Sequence, residues 1–155
     1  MAKESAGVLL FRRIAAPELL LIHPGGPFWA KKDLGAWSIP KGEPEKGEDL
    51  QQCALRELAE ELGQAAPSLA PQDLIELGSI RQKGGKVVHA WAAEGEFDPA
   101  ALSSNSFELE WPPRSGVRRE FPEVDGAQWL DPGEARRKIL PAQEPFIERL
   151  LGALG

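Results

Sequence analysis

A mixed α/β fold, with helices packed on the faces of a mixed sheet, is what the sequence predicts, and three observations predict it. Apolar runs of strand length recur along the chain: GVLLFRR, ELLLIH, DLIELGSIR, KVVHAWAAE and VDGAQWL. Helical patterns interrupt them without strict strand–helix–strand alternation, so a sheet of mixed direction is favoured over a purely parallel one. A chain of 155 residues, 42% hydrophobic and 27% charged, suffices for one substantial core but not comfortably for two. One domain over residues 1–155 is expected.

The first two strands are Gly7 to Arg13 and Glu18 to His23, joined by IAAP, which has the length of a hairpin loop. PGGPFWAKKDLGAW follows as a loop rich in Gly and Pro, with aromatic and lysine residues at its centre. AWSIP predicts a short strand ending at Pro40, and KGEPEKGE the loop before a helix over Asp49 to Leu62, which Gly63 terminates. QAAPSLAPQ is a connector. DLIELGSIR and KVVHAWAAE alternate as paired strands around QKGGK. SFELEWPP is a further strand, cut off by Pro112 and Pro113, and PRSGVRREFPE a basic loop. VDGAQWL is a strand, DPGEARRKI a helix opened by Asp131 and Pro132, and EPFIERLLGAL a terminal helix.

Composition excludes several classes. A net charge of -6 and a pI near 5.0 disfavour a nonspecific grip on a nucleic-acid backbone, so no stable nucleic-acid complex is expected. Small anionic substrates remain open, because a bound cation inverts the local sign. The opening MAKESAGVLLFRR has too short an apolar run for a signal peptide. No stretch approaches the roughly 18 to 20 apolar residues that span a bilayer, so no membrane partner is expected. The one cysteine, Cys53, can form neither an internal disulfide nor a structural zinc site, and its helical setting makes it a packing residue. A cytoplasmic monomer or homodimer is the resulting expectation.

The helix is where the chemistry concentrates. At about 100° per residue, Glu57, Glu60 and Glu61 share a sector about 100° wide, while Leu55, Leu58 and Leu62 share another and form the buried stripe. Like charges a turn apart cost about a few tenths of a kcal/mol per pair. A solvated acidic face would carry lysines at i,i+4 spacing, yet none lies between Asp49 and Leu62, and Arg56 is the only cation there. Clustered carboxylates instead suit a hard divalent cation, which neutralises the repulsion.

The spacing carries more. Gly42, five residues, Glu48, seven residues, then Arg56-Glu57-Leu58-Ala59-Glu60-Glu61-Leu62-Gly63 resembles the box that defines the Nudix hydrolase family. All seven fixed glycine or polar positions match, with chance odds on the order of one in a million. Gln64 departs from the aliphatic residue usual in that slot, which bears on packing at the helix exit. AGVLLFRR, ELLLIHP, GAWSIPKGE and VDGAQWLDPGEARRKI also resemble the family's strands and closing helix. QKGGKVVHAWA and SNSFELEWPPRSG resemble segments of a bacterial branch of it.

The resemblance implies a Nudix-type α/β/α sandwich with a mixed β-sheet, and Mg2+-dependent hydrolysis of a diphosphate linkage between a nucleoside diphosphate and another moiety, with Mn2+ able to substitute. The substrate would be a small-molecule phosphoanhydride: a nucleotide or dinucleotide polyphosphate first, sugar nucleotides behind. PKGE and ELLLIHP have a loose likeness to diadenosine polyphosphate hydrolases, although the chain has no tyrosine on which to stack a base. It further implies that Glu57, Glu60, Glu61 and the Gly42 carbonyl hold the metal. Glu57 is the base candidate, Arg56 orients the carboxylates, and Glu48 is either its acidic partner or an outer metal ligand. Outside the box, Lys41, Lys31, Lys32, Arg114, Arg118 and Arg119 are phosphate candidates, and Glu120 or Glu123 an alternative base. His89 reads as a core or sheet-face residue rather than a base, Trp37 and Trp129 as packing, and Trp29 and Trp111 as loop aromatics that either join the core or stack on a base. The contrasting reading is a Nudix-fold nucleotide sensor or scaffold without turnover. Such proteins usually lose box glutamates, and all are present here.

Overall fold

The computed structural model describes residues 3–155. Its strands are β1 (Glu4–Arg13), β2 (Pro17–Pro24), β3 (Lys41–Gly42), β4 (Ile75–Arg81), β5 (Val87–Glu94), β6 (Ser106–Glu110), β7 (Arg118–Pro122) and β8 (Val124–Leu130). The helices are α1 (Leu50–Leu62), α2 (Pro132–Lys138) and α3 (Glu144–Leu154). The main sheet runs β4-β5-β1-β2-β8, with β3 added against β1. Only β1 and β5 are parallel within it, so the sheet is mixed.

Both faces of β1 are buried, which explains its unbroken apolar run. Ala6, Val8 and Leu10 join Cys53, Ala54, Leu58 and Leu62 of α1 in one core. Leu9 and Phe11 turn the other way, toward Phe146, Ile147 and Leu150 of α3. Helices therefore cover both sides, and the α/β/α sandwich follows. No helix among the described residues is long and apolar enough to cross a membrane.

One irregularity creates the site. β1 and β2 pair only near their hairpin, from Phe11↔Leu19 to Arg13↔Pro17. Farther along they part, and residues 38–42 occupy the gap: Ser38 bridges Ile22, while Lys41 and Gly42 pair with Gly7 and Ala6. Gly7 permits this wedge, because a Cβ there would run into the Pro40 carbonyl oxygen.

Several expectations need correction. AWSIP forms isolated bridges, Ile22↔Ser38 and Trp37↔Ile139, rather than a strand, because it is wedged between elements instead of extending along one. The buried stripe of α1 is Cys53, Ala54, Leu58 and Leu62, whereas Leu55 stays half-buried at the edge of that sector. The basic segment expected as a loop contains β7, which pairs with β6 as a separate two-stranded ribbon. Cross-strand Phe107 and Phe121, ring centroids 6.0 Å apart, supply the apolar pairing that the charges around them obscure.

Candidate active site

Asp49 starts α1 by accepting a hydrogen bond from the Gln52 N–H at 2.8 Å, and Gly63 ends it at φ 91°. Between these caps the helix lies beside the Lys41–Gly42 strand, with Glu57 against Gly42 and Glu61 at the Lys41 backbone. Gly42 sits so close that any Cβ on it would collide with the Glu57 carboxylate. The Gly42 carbonyl itself accepts from Cys53 Sγ at 3.3 Å. Burial pushes the Cys53 thiol up to about 11, consistent with a packing thiol rather than a nucleophile.

Arg56 organises one side of the site. Its Nε and Nη2 donate to the two oxygens of Glu48, both at 2.8 Å, in a bidentate fork. Nη1 donates to Glu57 and to Glu60, both at 2.9 Å, and Nη2 also reaches the Glu43 carbonyl at 3.1 Å. Arg56 therefore ties loop and helix together. The same bonds, aided by the Glu45 N–H, hold Glu48 down to about 2.

The other side is differently poised. Burial, then the Glu57 charge, push Glu61 up to about 9, despite a backbone hydrogen bond from Lys41. Burial also raises Glu57, against the pull of Arg56. Lys41, beside them, is lowered by its own burial and by Lys86. Glu61 and Lys41 open onto a cleft of about 410 Å³, within the range of small-molecule sites. Trp29, Ser38, Gln82 and Glu123 complete its polar and aromatic lining.

Among the described residues, no three His, Cys, Asp or Glu side chains already stand in a cage for a metal ion. Arg56 instead draws Glu57 and Glu60 to one nitrogen. The chemistry of the set nonetheless fits a hard cation. Its donors are all oxygens, and two carboxyls are raised because burial outweighs the positive charge near them.

The family model described as NUDIX domain matches residues 1–150. The chain belongs to the Nudix family. An RNA pyrophosphohydrolase of Brucella ovis is 27% identical over 155 aligned positions, covering 86% of this chain and 82% of that protein. A bis(5'-nucleosyl)-tetraphosphatase [asymmetrical] of Rattus norvegicus is 33% identical over 103 positions, 61% of this chain and 66% of that one. Among solved structures, a C. elegans Ap4A hydrolase binary complex superposes with TM-score 0.63 at 21% identity, covering 97% of each chain. The NUDIX domain of Shewanella oneidensis NrtR, complexed with ADP ribose, gives TM-score 0.67 at 19% identity, over 100% of this chain and 90% of that one. These two likenesses concern the fold. Nudix membership with the full set of box carboxylates makes the chain a pyrophosphohydrolase acting on nucleoside diphosphate derivatives.

The structure brings together Gly42, Glu48, Arg56, Glu57, Glu60, Glu61 and Lys41. It does not bring Arg118 and Arg119 into the cleft wall. Pairing of β7 with β6 places them on the ribbon, exposed, with Arg118 3.8 Å from Glu108 and Arg119 over Phe121. Glu120 is on that ribbon too, whereas Glu123, just past it, lines the cleft. Lys31 and Lys32 are exposed, and Lys32 lies over the Trp29 ring at 5.1 Å. Trp111 stacks edge-on with Phe28, away from the cleft lining. Trp37 and Trp129 pack as expected, Trp37 in the α2–α3 core and Trp129 beneath Arg12. His89, on β5, meets Glu4 at 2.6 Å and is a sheet-face residue. Gln82 and Gln143 were not foreseen: an amide in a hairpin turn and one before a helix leave no pattern in the sequence.

Proposed function

We propose that the protein hydrolyses a nucleotide or dinucleoside polyphosphate, with Mg2+ or Mn2+ held by Glu57, Glu60, Glu61 and the Gly42 carbonyl. The observation that carries this is a pair of buried, raised carboxyls, Glu57 pressed against the Gly42 backbone and Glu61 beside it in the cleft wall. When bound, the cation would draw charge off the diphosphate oxygens and acidify water. Arg56 fixes the Glu57 and Glu60 rotamers from behind and leaves them little freedom to drift. Lys41 sits in the cleft wall, where an ammonium meets a phosphate oxygen rather than bulk water. Glu57 takes the proton from the attacking water, and Glu123 in the cleft wall is the second candidate for that step. The two relatives named above, an RNA pyrophosphohydrolase and a bis(5'-nucleosyl)-tetraphosphatase, support this substrate class.

The test is a library of diphosphate-containing compounds assayed with Mg2+ and with Mn2+, reading phosphate released after phosphatase coupling. Turnover should disappear on chelation and return with either ion. Full turnover after exhaustive EDTA treatment would sink the metal assignment.

A further inference from the structure

Gln82 follows β4 and lines the same cleft as Trp29. Behind it lies Gln143, fully buried in the turn before α3. The orientation of the Gln143 amide follows from a donor that cannot reverse. The Ile39 backbone N–H points at it from 3.1 Å, so the atom it meets is Oε1. Nε2 of Gln143 then faces Ser38 Oγ and Gln82, each at 3.0 Å, and gives one proton to each. Ser38 passes its own hydrogen to the Ile39 carbonyl at 2.8 Å.

The Gln82 atom that meets Gln143 must therefore be Oε1. Turning the amide over would set one NH2 group against another and leave two donors facing each other. Among the described residues the Gln82 NH2 has no protein acceptor, and its residue lines the cleft. A chain of amides anchored on one backbone N–H thus fixes the polarity of a group in a cleft that an aromatic ring also lines.

We propose that Gln82 is a specificity-determining residue. It donates from its amide to an acceptor atom on the edge of a nucleobase stacked at Trp29, and Gln143 is the positioning residue that holds that polarity. The inference rests on the cleft being a nucleotide site. A freely turning amide would accept or donate alike and discriminate little; a locked one rewards an acceptor and rejects a donor.

Nucleoside 5'-monophosphates carry no anhydride to cleave, so their binding reads this independently of turnover. The experiment is calorimetric titration of the four common monophosphates into the native protein, Gln82→Met and Gln82→Glu. For the tightest base, it is repeated with analogues lacking one ring nitrogen or one carbonyl. Native protein should lose about tenfold in affinity for one such analogue, the equivalent of one neutral hydrogen bond. In Gln82→Met that penalty should shrink to within about twofold. Gln82→Glu keeps an acceptor for Gln143 while supplying no donor to the cleft, so it should lose the same discrimination with Gln143 undisturbed. The proposal is overturned if no monophosphate binds, if no analogue discriminates in the native protein, or if the penalty survives in both variants. Failure of the whole diphosphate library to turn over would sink the proposed activity and leave these affinities to judge Gln82.

Discussion

The loop end of the site, around Glu48, and the cleft end, around Glu61, carry the same side chain in opposite electrostatic states. Glu48 receives the full fork of Arg56 and is held down to about 2. Glu61 has burial and the charges of Glu57 and Glu123 against it, with only Lys41 in its favour, and is pushed up to about 9. The first end is complete within the protein and acts as a brace. The second becomes electrostatically favourable when a cation and a polyphosphate arrive together. Identical chemistry in the side chain therefore says little; the neighbours decide which glutamate braces the loop and which stands ready for a cation.

The sharpest way to break this comparison is to neutralise each end. Glu61→Gln keeps the shape and removes the carboxylate that a bound cation would need. Turnover and metal affinity should fall by orders of magnitude, while metal-free stability holds near neutral pH, where the native Glu61 already carries its proton. Glu60→Gln should lose turnover too, since Glu60 shares an Arg56 nitrogen with Glu57. Thermal unfolding without metal, beside a turnover assay, reads both quantities. Intact activity in both variants would reduce the acidic row to a solvated face.

Removing the link between the two ends should have the next largest effect. Arg56→Ala frees Glu57 and Glu60 and strands Glu48 without its fork. We expect kcat to fall severely with KM changing less, because Arg56 acts behind the carboxylates. A pure rise in KM at normal kcat would make Arg56 a substrate clamp instead.

Leu58→Ala sharpens the comparison from the core side. Leu58 is buried against the sheet and takes no part in the carboxylate row. Truncation should cost about 2 to 5 kcal/mol of stability while the folded fraction retains its turnover. Denaturant titration with a parallel assay checks this.

Much of this was legible because it lies on one helix. Asp49, Gly63 and the spacing of Arg56, Glu57, Glu60 and Glu61 follow from local geometry, and the structure keeps them so. The stripe was read slightly wrong. Leu55 looked as buried as Leu58, but the strand at Gly42 covers Cys53, on the far side of the helix. What escaped is non-local. The β6–β7 ribbon needs Phe107 to find Phe121 across a turn that holds Pro112, Pro113 and Arg114, and Gln143 meets Gln82 across 61 positions. No periodicity encodes such meetings.

The smallest expected effect is a slope in pH, and its sign follows from the cleft end alone. In the unfolded chain Glu61 ionises near its ordinary value of 4.5, whereas in the folded, metal-free protein it keeps its proton up to about 9. Between those values the folded state binds more protons than the unfolded one, so metal-free stability should fall as pH rises across that window. Glu48 contributes nothing there, since its folded value near 2 confines its effect to pH below about 4.5, where stability is lost as pH falls. Denaturation midpoints measured without metal from pH 5 to 9 should therefore slope downward in the native protein and flatten in Glu61→Gln. Saturating Mg2+ should oppose the slope, because deprotonation that destabilises the bare site strengthens cation binding. A native slope that persists unchanged in Glu61→Gln would assign the titration elsewhere and remove the contrast between the two ends.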